Sequence, residues 1–281
     1  MPAKYPTRVP LKKQTSQRQP SRRLALRPPA SAAPRAIPRR WLNTVIGIFL
    51  LPVAYLLTQT FFGAFSRAAV EHEFWATDEF WFFGLGSALW TLWFFGSIWS
   101  MGEPRPLRAY VFAHELTHAI WVWMWGGRVS RFEVSRDGGF ILTDTHNFWI
   151  ALAPYFYPLY SIVLIAFYGL ASLFYDVAHV GETFILLTPL QWLFLLLGAS
   201  WAFHLSFAIW MIPKGQSDLS YHGNFFSLVI IYLMNVLVLA LFLIVAAPEI
   251  SFASLGRELW WNAEDFSAAV VQGGRWLLPR R

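Results

Sequence analysis

His114, Glu115 and His118 form the pattern H-E-x-x-H within the apolar stretch FAHELTHAIWVWMWGG. On a helix, residues four apart lie on one face, so both imidazoles would point the same way. Zinc accepts neutral imidazole nitrogens, and a catalytic zinc keeps three protein ligands and a water, whose pKa it lowers to about 7. The pattern predicts His114 and His118 as ligands of one zinc ion. It predicts Glu115 as the general base acting on the water.

The third ligand has to come from another part of the chain. Asp218 follows an irregular stretch marked by Pro213 and Gly215, where the backbone can turn a carboxylate towards the histidines. We therefore expect Asp218 to be the third ligand. His204 lies in an apolar stretch and has three interpretations: an alternative ligand, a donor that stabilises the oxyanion of a tetrahedral intermediate, or a packing histidine.

Composition indicates a membrane protein. The chain is 56% hydrophobic and only 14% charged, and its 16 tryptophans and 10 tyrosines suit a membrane–water interface. Ionisable residues inside such a chain need a partner, a wet cavity or a bound ion. The absence of cysteine excludes a disulfide framework, a cysteine ligand and a cysteine nucleophile.

About 20 apolar residues cross the hydrocarbon core of a bilayer, so the apolar runs predict an all-α polytopic protein with six spans. These spans cover roughly residues 42–62, 80–100, 107–126, 148–175, 183–212 and 225–247. With six alternating spans, the third and the fifth would run in the same direction and bring Asp218 to the histidine helix.

A β-hairpin is predicted directly after the histidine helix. In RVSRFEVSRDGGFILTD, apolar and polar residues alternate on both sides of a glycine-containing turn. We expect this hairpin to lie beside the metal site, and an ordinary solvated hairpin is the alternative.

The two ends of the chain differ from its centre. Residues 1–40 hold 11 of the 22 Lys and Arg and 8 of the 17 prolines, without an acidic residue. This composition predicts a disordered tail held on the cytoplasmic side by its charge; binding of nucleic acid or anionic lipid is the alternative. We assign 41–106 to accessory helices, 107–247 to the site-bearing core, and 248–281 to a tail compatible with an interfacial helix.

These features together resemble the site-2 protease family of intramembrane zinc metalloproteases. The similarity rests on H-E-x-x-H in a membrane helix, then GGRV, a hairpin with DGG, and a later Pro-then-Asp segment, over roughly residues 107–240. It implies a three-helix core in which the first helix carries H-E-x-x-H and the third an aspartate ligand. His114, His118 and Asp218 then match the zinc ligands, and Glu115 matches the catalytic glutamate.

The resemblance also implies a substrate. Members of the family cut transmembrane or membrane-adjacent peptides, and the hairpin holds the substrate as an added strand. Phe140, Ile141 and Leu142 are the corresponding edge residues here. The family pattern has an asparagine before the aspartate and a glycine after it, whereas residues 201–217 contain no asparagine and Leu219 follows Asp218. The expected partners are a transmembrane substrate and the lipid bilayer, with no specific nucleic acid.

Two expectations about the side of the membrane to which the site opens are in conflict. A cytoplasmic basic tail and six alternating spans place the site towards the exterior, whereas the resemblance implies a site that opens towards the cytoplasm.

A non-catalytic membrane protein is the alternative class, in which the polar cluster holds helices together or binds a structural metal. A structural zinc site would have no need of Glu115. A transporter is a weaker alternative, because the broken spans fit it but no half of the chain is repeated.

Overall fold

The computed structural model describes residues 40–71, 73–135, 138–174 and 186–277. Residues 1–39 of the predicted tail therefore lie outside the described residues. The elements, in chain order, are α1 (Arg40–Glu71), α2 (Asp78–Met101), α3 (Leu107–Met124), β1 (Val129–Val134), β2 (Gly139–Thr143), α4 (Phe148–Leu152), α5 (Leu159–Ser172), α6 (Pro189–Met211), α7 (Ser217–His222), α8 (Asn224–Ala246) and α9 (Phe252–Leu277).

Side-chain and backbone caps explain where the apolar helices begin and end. Thr77 accepts a hydrogen bond from the third residue of α2, and Gly102, in a left-handed conformation, ends that helix. Thr188 and Gln191 form a capping box around the start of α6, with Pro189 at the first helical position.

The protein is an all-α membrane protein with one small sheet. Among the described residues, α1, α2, α6 and α8 are long and apolar enough to cross a membrane. The predicted span 148–175 is broken into α4 and α5, which meet at 80° and add at most one span. Pro154 and Pro158 explain the break, since proline lacks the N–H that a continuing helix needs. The histidine helix α3 is more polar and is not in this group, so six spans are not confirmed.

The tightest helix contact joins α2 and α6 at glycines. A Cβ atom on Gly86 would lie 1.9 Å from a backbone oxygen of α6, and one on Gly198 would lie 2.0 Å from the carbonyl oxygen of Phe83. Further along both helices, Trp90 Nε1 donates to Ser206 Oγ at 2.9 Å. Because the partners advance together along both chains, α2 and α6 are parallel.

Helices α1 and α8 are also parallel. Asn43 Nδ2 donates to the carbonyl oxygen of His222, just before α8, at 2.8 Å. Further along both helices, the hydroxyl oxygens of Thr58 and Tyr232 lie 2.6 Å apart. The starts of α1 and α8 therefore share one end of the molecule with α7 and the end of α6; we call this the Arg40 end.

Helix α3 meets α6 near the predicted ligands. Tyr110 contacts both Phe203 and Phe207, with ring centroids 6.4 and 4.8 Å apart. Further along α3, Trp121 packs against a cluster that contains Ala208. The expected parallel direction of the third and fifth spans stays a prediction.

The predicted hairpin is confirmed. β1 and β2 pair antiparallel, with Phe132 opposite Ile141, and a register shift lies between Val129 and Arg131. Ser135 N–H donates to the carbonyl oxygen of Gly138 at 2.9 Å across the turn. Both strands pack against α3.

The C-terminal tail forms the helix α9, which has 26 residues. It runs antiparallel to α1, because Glu258 pairs with Arg67 and, further along α9, Asn262 Nδ2 donates to Thr60 Oγ1 at 3.1 Å. Trp260 remains exposed on its outer side. Its placement at the membrane interface stays a prediction.

We expect Gly86→Ala to lower the stability of the protein, although alanine favours helices. The new methyl group would meet backbone of α6, and overpacking of this kind costs about 1–3 kcal/mol. Gly96→Ala in the same helix is the control, because no atom lies within 4 Å of its Cβ position. Thermal unfolding in detergent measures both; equal midpoints for the two variants would contradict the close contact.

Candidate metal centre

The three predicted ligands lie together. His114 and His118 occupy one face of α3, and Asp218 comes from α7. Asp218 Oδ2 lies 3.5 Å from His114 Nε2 and 3.6 Å from His118 Nε2. One ligand atom from each residue lies within 4.8 Å of the other two, which makes this a group able to hold a metal ion.

The spacing of these atoms fits zinc. Atoms bonded tetrahedrally to zinc at about 2.0–2.1 Å would lie roughly 3.3–3.4 Å apart. The two distances of 3.5 and 3.6 Å are close to this separation and longer than the usual hydrogen bond of about 2.7–3.2 Å. Two imidazoles and one carboxylate are also the donor set of many catalytic zinc sites. The residues present therefore fit a zinc ion.

Hydrogen bonds on the far side of each imidazole orient the ligands. His118 Nδ1 lies 2.7 Å from the carbonyl oxygen of Ile150, and His114 Nδ1 lies 3.3 Å from the Tyr110 hydroxyl. A carbonyl oxygen can only accept, so Nδ1 of His118 carries the proton and Nε2 keeps its lone pair. Partners of this kind fix the ring orientation of metal-binding histidines.

The carbonyl of Ile150 is free to accept because of a proline. In a continuing helix it would accept from the N–H of the residue four positions later, but that residue is Pro154, which has none. Asn147 caps the start of this short helix by accepting from Ile150 N–H at 2.8 Å. The break in α4 therefore supplies the backbone acceptor that His118 uses.

Glu115 lies on the side of α3 that faces the hairpin. Its side chain is buried, and a Cβ atom on Gly139 would lie only 2.5 Å from Glu115 Cγ. The first residue of β2 thus packs directly on the predicted general base. Sequence reasoning missed Gly139, although a glycine at a strand end signals a close approach of backbone.

The predicted substrate-contacting residues follow Gly139 on β2. Phe140, Ile141 and Leu142 are all half-buried, and Phe140 is paired with Glu133 on β1. They directly follow Gly139, the residue of β2 that packs on Glu115. Their contact with a substrate stays a prediction.

His204 does not join the group of ligand atoms among the described residues. It is buried, and its Nε2 atom has no hydrogen-bond partner. With His114 and Thr117 it lines a cavity of about 10 Å³, which is the size of one water molecule. Its role in catalysis or packing stays a prediction.

His222, the last residue of α7, is partly buried near the site. The ring of His222 stacks on that of His146 with centroids 6.0 Å apart and contacts Phe148 edge-on. Burial, followed by the effect of His146, lowers the pKa of His222 to about 4, so it is neutral at pH 7. Asp144 is exposed, and a hydrogen bond from Arg128 N–H lowers its carboxyl pKa.

Comparisons of the chain with protein-family models, with curated proteins and with solved structures found no match. The residues and geometry of the site are therefore the basis for assigning a function.

We expect Tyr110→Phe to weaken zinc binding about 10–100-fold, the usual effect of losing a hydrogen bond to a metal ligand. Tyr160→Phe is the matched control, since its hydroxyl donates to the carbonyl oxygen of Ala109 at 2.8 Å and does not touch a ligand. Competition with a zinc chelator measures the affinity of both variants. Equal affinities would show that Tyr110 does not orient His114.

Proposed function

We propose that the protein is an intramembrane zinc metalloprotease that hydrolyses a peptide bond of a membrane-spanning or membrane-adjacent substrate. The observation that carries this proposal is the convergence of His114 Nε2, His118 Nε2 and Asp218 Oδ2 within 4.8 Å. Glu115, the residue next to the first ligand, adds a buried carboxylate at the same helix turn. A purely structural metal site would not require it.

Each residue has a defined task in this reaction. When bound, zinc would polarise the scissile carbonyl and acidify a water molecule. Glu115 takes a proton from the attacking water at its carboxylate and later delivers it to the leaving amine nitrogen. Gly139 allows the hairpin to approach and holds Glu115 in place.

Access to the site is favoured from the side of α7. The His114 and His118 side chains are 10% and 9% exposed, whereas that of Asp218 is 22% exposed. The ligands from α3 are therefore enclosed, and the carboxylate lies towards the opening. Enclosure limits water near the ligands and strengthens their electrostatic effects.

The orientation of the helices supports a site that opens towards the cytoplasm. The site lies near the Arg40 end, because Asp218 is on α7 and Asn43 hydrogen-bonds the last residue of that helix. The basic residues 1–39 precede α1 in the sequence. The positive-inside rule places such a segment in the cytoplasm. The conflict between the two expectations about orientation then disappears.

Glu115→Gln tests the catalytic role. We expect the variant to bind one zinc ion per chain but to lose proteolysis, because an amide cannot accept the proton of the water. Metal analysis of the purified protein measures zinc, and mass spectrometry of labelled N-termini in cell membranes measures cleavage. Glu133→Gln is the control, since Glu133 is an exposed carboxylate on β1 paired with Arg131.

Two outcomes would contradict the proposal. One is an identical set of new N-termini in membranes that contain wild type and in membranes that contain Glu115→Gln. The other is a folded wild-type protein that holds no zinc after purification with the metal, which would favour the non-catalytic alternative.

Asp218→Ala and His204→Ala separate the ligands: we expect zinc to be lost only in the former.

Single cysteines test the orientation, because the chain has none of its own. Ser220 and Glu249 are exposed and lie on either side of α8. We expect a membrane-impermeant maleimide to label Glu249→Cys in intact cells, and Ser220→Cys only after permeabilisation. The reverse pattern would place the site on the exterior.

A further inference from the structure

Tyr155 has a buried hydroxyl group without a partner. The residue is fully buried, and its hydroxyl oxygen makes no hydrogen bond in the part of the chain that the structure describes. An unpaired hydroxyl in such a place is unfavourable, because it has lost its hydrogen bonds to water. A group of this kind suggests a hydrogen bond to something that binds later.

Tyr155 lies at the candidate metal centre. Its ring meets the ring of His114 edge-on, with centroids 5.3 Å apart and an angle of 88°. Its hydroxyl lies near the Asp218 carboxylate, without a hydrogen bond of normal geometry, and is within electrostatic reach of Glu115. It therefore lies on the side of His114 that faces the third ligand.

The backbone around Tyr155 is held firmly. The residue ends the 3-10 helix Ala153–Tyr155 between α4 and α5. Its carbonyl oxygen accepts a hydrogen bond from Asn235 Nδ2 at 3.0 Å and also contacts the His204 ring. Anchoring of the main chain from α8 and α6 restricts the directions in which the hydroxyl can point.

Neighbouring tyrosines have other tasks. The hydroxyl of Tyr110 contacts Nδ1 of His114, and that of Tyr160 donates to a backbone oxygen. His204 is less suited to the same role, because the cavity that it lines does not include His118 or Asp218. Tyr155 combines an unused donor with a position beside the ligands.

We propose that Tyr155 is a catalytic residue that donates a hydrogen bond to the scissile carbonyl oxygen as this oxygen becomes negatively charged. The inference rests on the proposed function and extends it. The water oxygen bonds to the carbonyl carbon, its proton passes to Glu115, and the carbonyl π electrons move to the oxygen that Tyr155 stabilises. The carbon–nitrogen bond then breaks, and the amine takes the proton from Glu115.

The test compares two inhibitors of the same short apolar peptide sequence on wild type and Tyr155→Phe. A phosphinic peptide mimics the charged tetrahedral carbon, whereas a mercaptoacyl peptide binds through sulfur and has no such oxygen. We expect the phosphinic peptide to bind about 100-fold more weakly to the variant, as for loss of one oxyanion donor. Binding of the mercaptoacyl peptide and zinc content should stay unchanged.

Tyr168→Phe is the matched control, because Tyr168 on α5 also has a buried hydroxyl without a partner but, unlike Tyr155, no electrostatic interaction with Asp218 or Glu115. We expect it to bind both inhibitors like wild type. Equal phosphinic affinity in Tyr155→Phe and wild type would overturn the inference. Loss of zinc in Tyr155→Phe would also overturn it, since Tyr155 would then only hold Asp218. Absence of zinc from wild type would instead refute the proposed function itself.

Discussion

The hydrogen bond between His118 Nδ1 and the carbonyl oxygen of Ile150 is the contact on which the geometry of the site depends. A ring nitrogen of a histidine in an apolar protein interior costs free energy when it has no hydrogen-bond partner. The main chain supplies this partner only because Pro154 cannot donate to the same carbonyl. The proline that breaks the helix therefore also turns Nε2 of His118 towards Asp218. Helix breaking and ligand orientation have one cause.

The same break determines how the chain is arranged around the site. Since α4 and α5 meet at 80°, the segment does not carry the chain across in one straight span. Helix α6 runs parallel to α2 and ends just before α7 begins. Asp218 then meets the histidines near the end of the molecule where α1 starts.

The two groups that act on the substrate in the proposed reaction, Glu115 and Tyr155, contact different parts of the candidate zinc site. Glu115 lies against the hairpin through Gly139, and Tyr155 lies on the side of His114 that faces Asp218. In the proposed reaction, Glu115 accepts the proton of the attacking water, and Tyr155 stabilises the negative charge on the carbonyl oxygen. Gly139 of β2 packs against Glu115, and Asn235 of α8 holds the main chain of Tyr155. These contacts keep both reacting groups in place before the substrate binds.

The sequence by itself determined the local features of this protein. The four-residue spacing of His114 and His118, the hairpin pattern and the apolar runs that form α1, α2, α6 and α8 each reflect short-range geometry, and these predictions agree with the structure. The meeting of these histidines with Asp218 was also anticipated. Only the tertiary structure decided the direction of α6, the contact of Gly139 with Glu115 and the position of Tyr155. These depend on how distant segments pack, and a periodic pattern in one segment contains no information about which segment will lie against it.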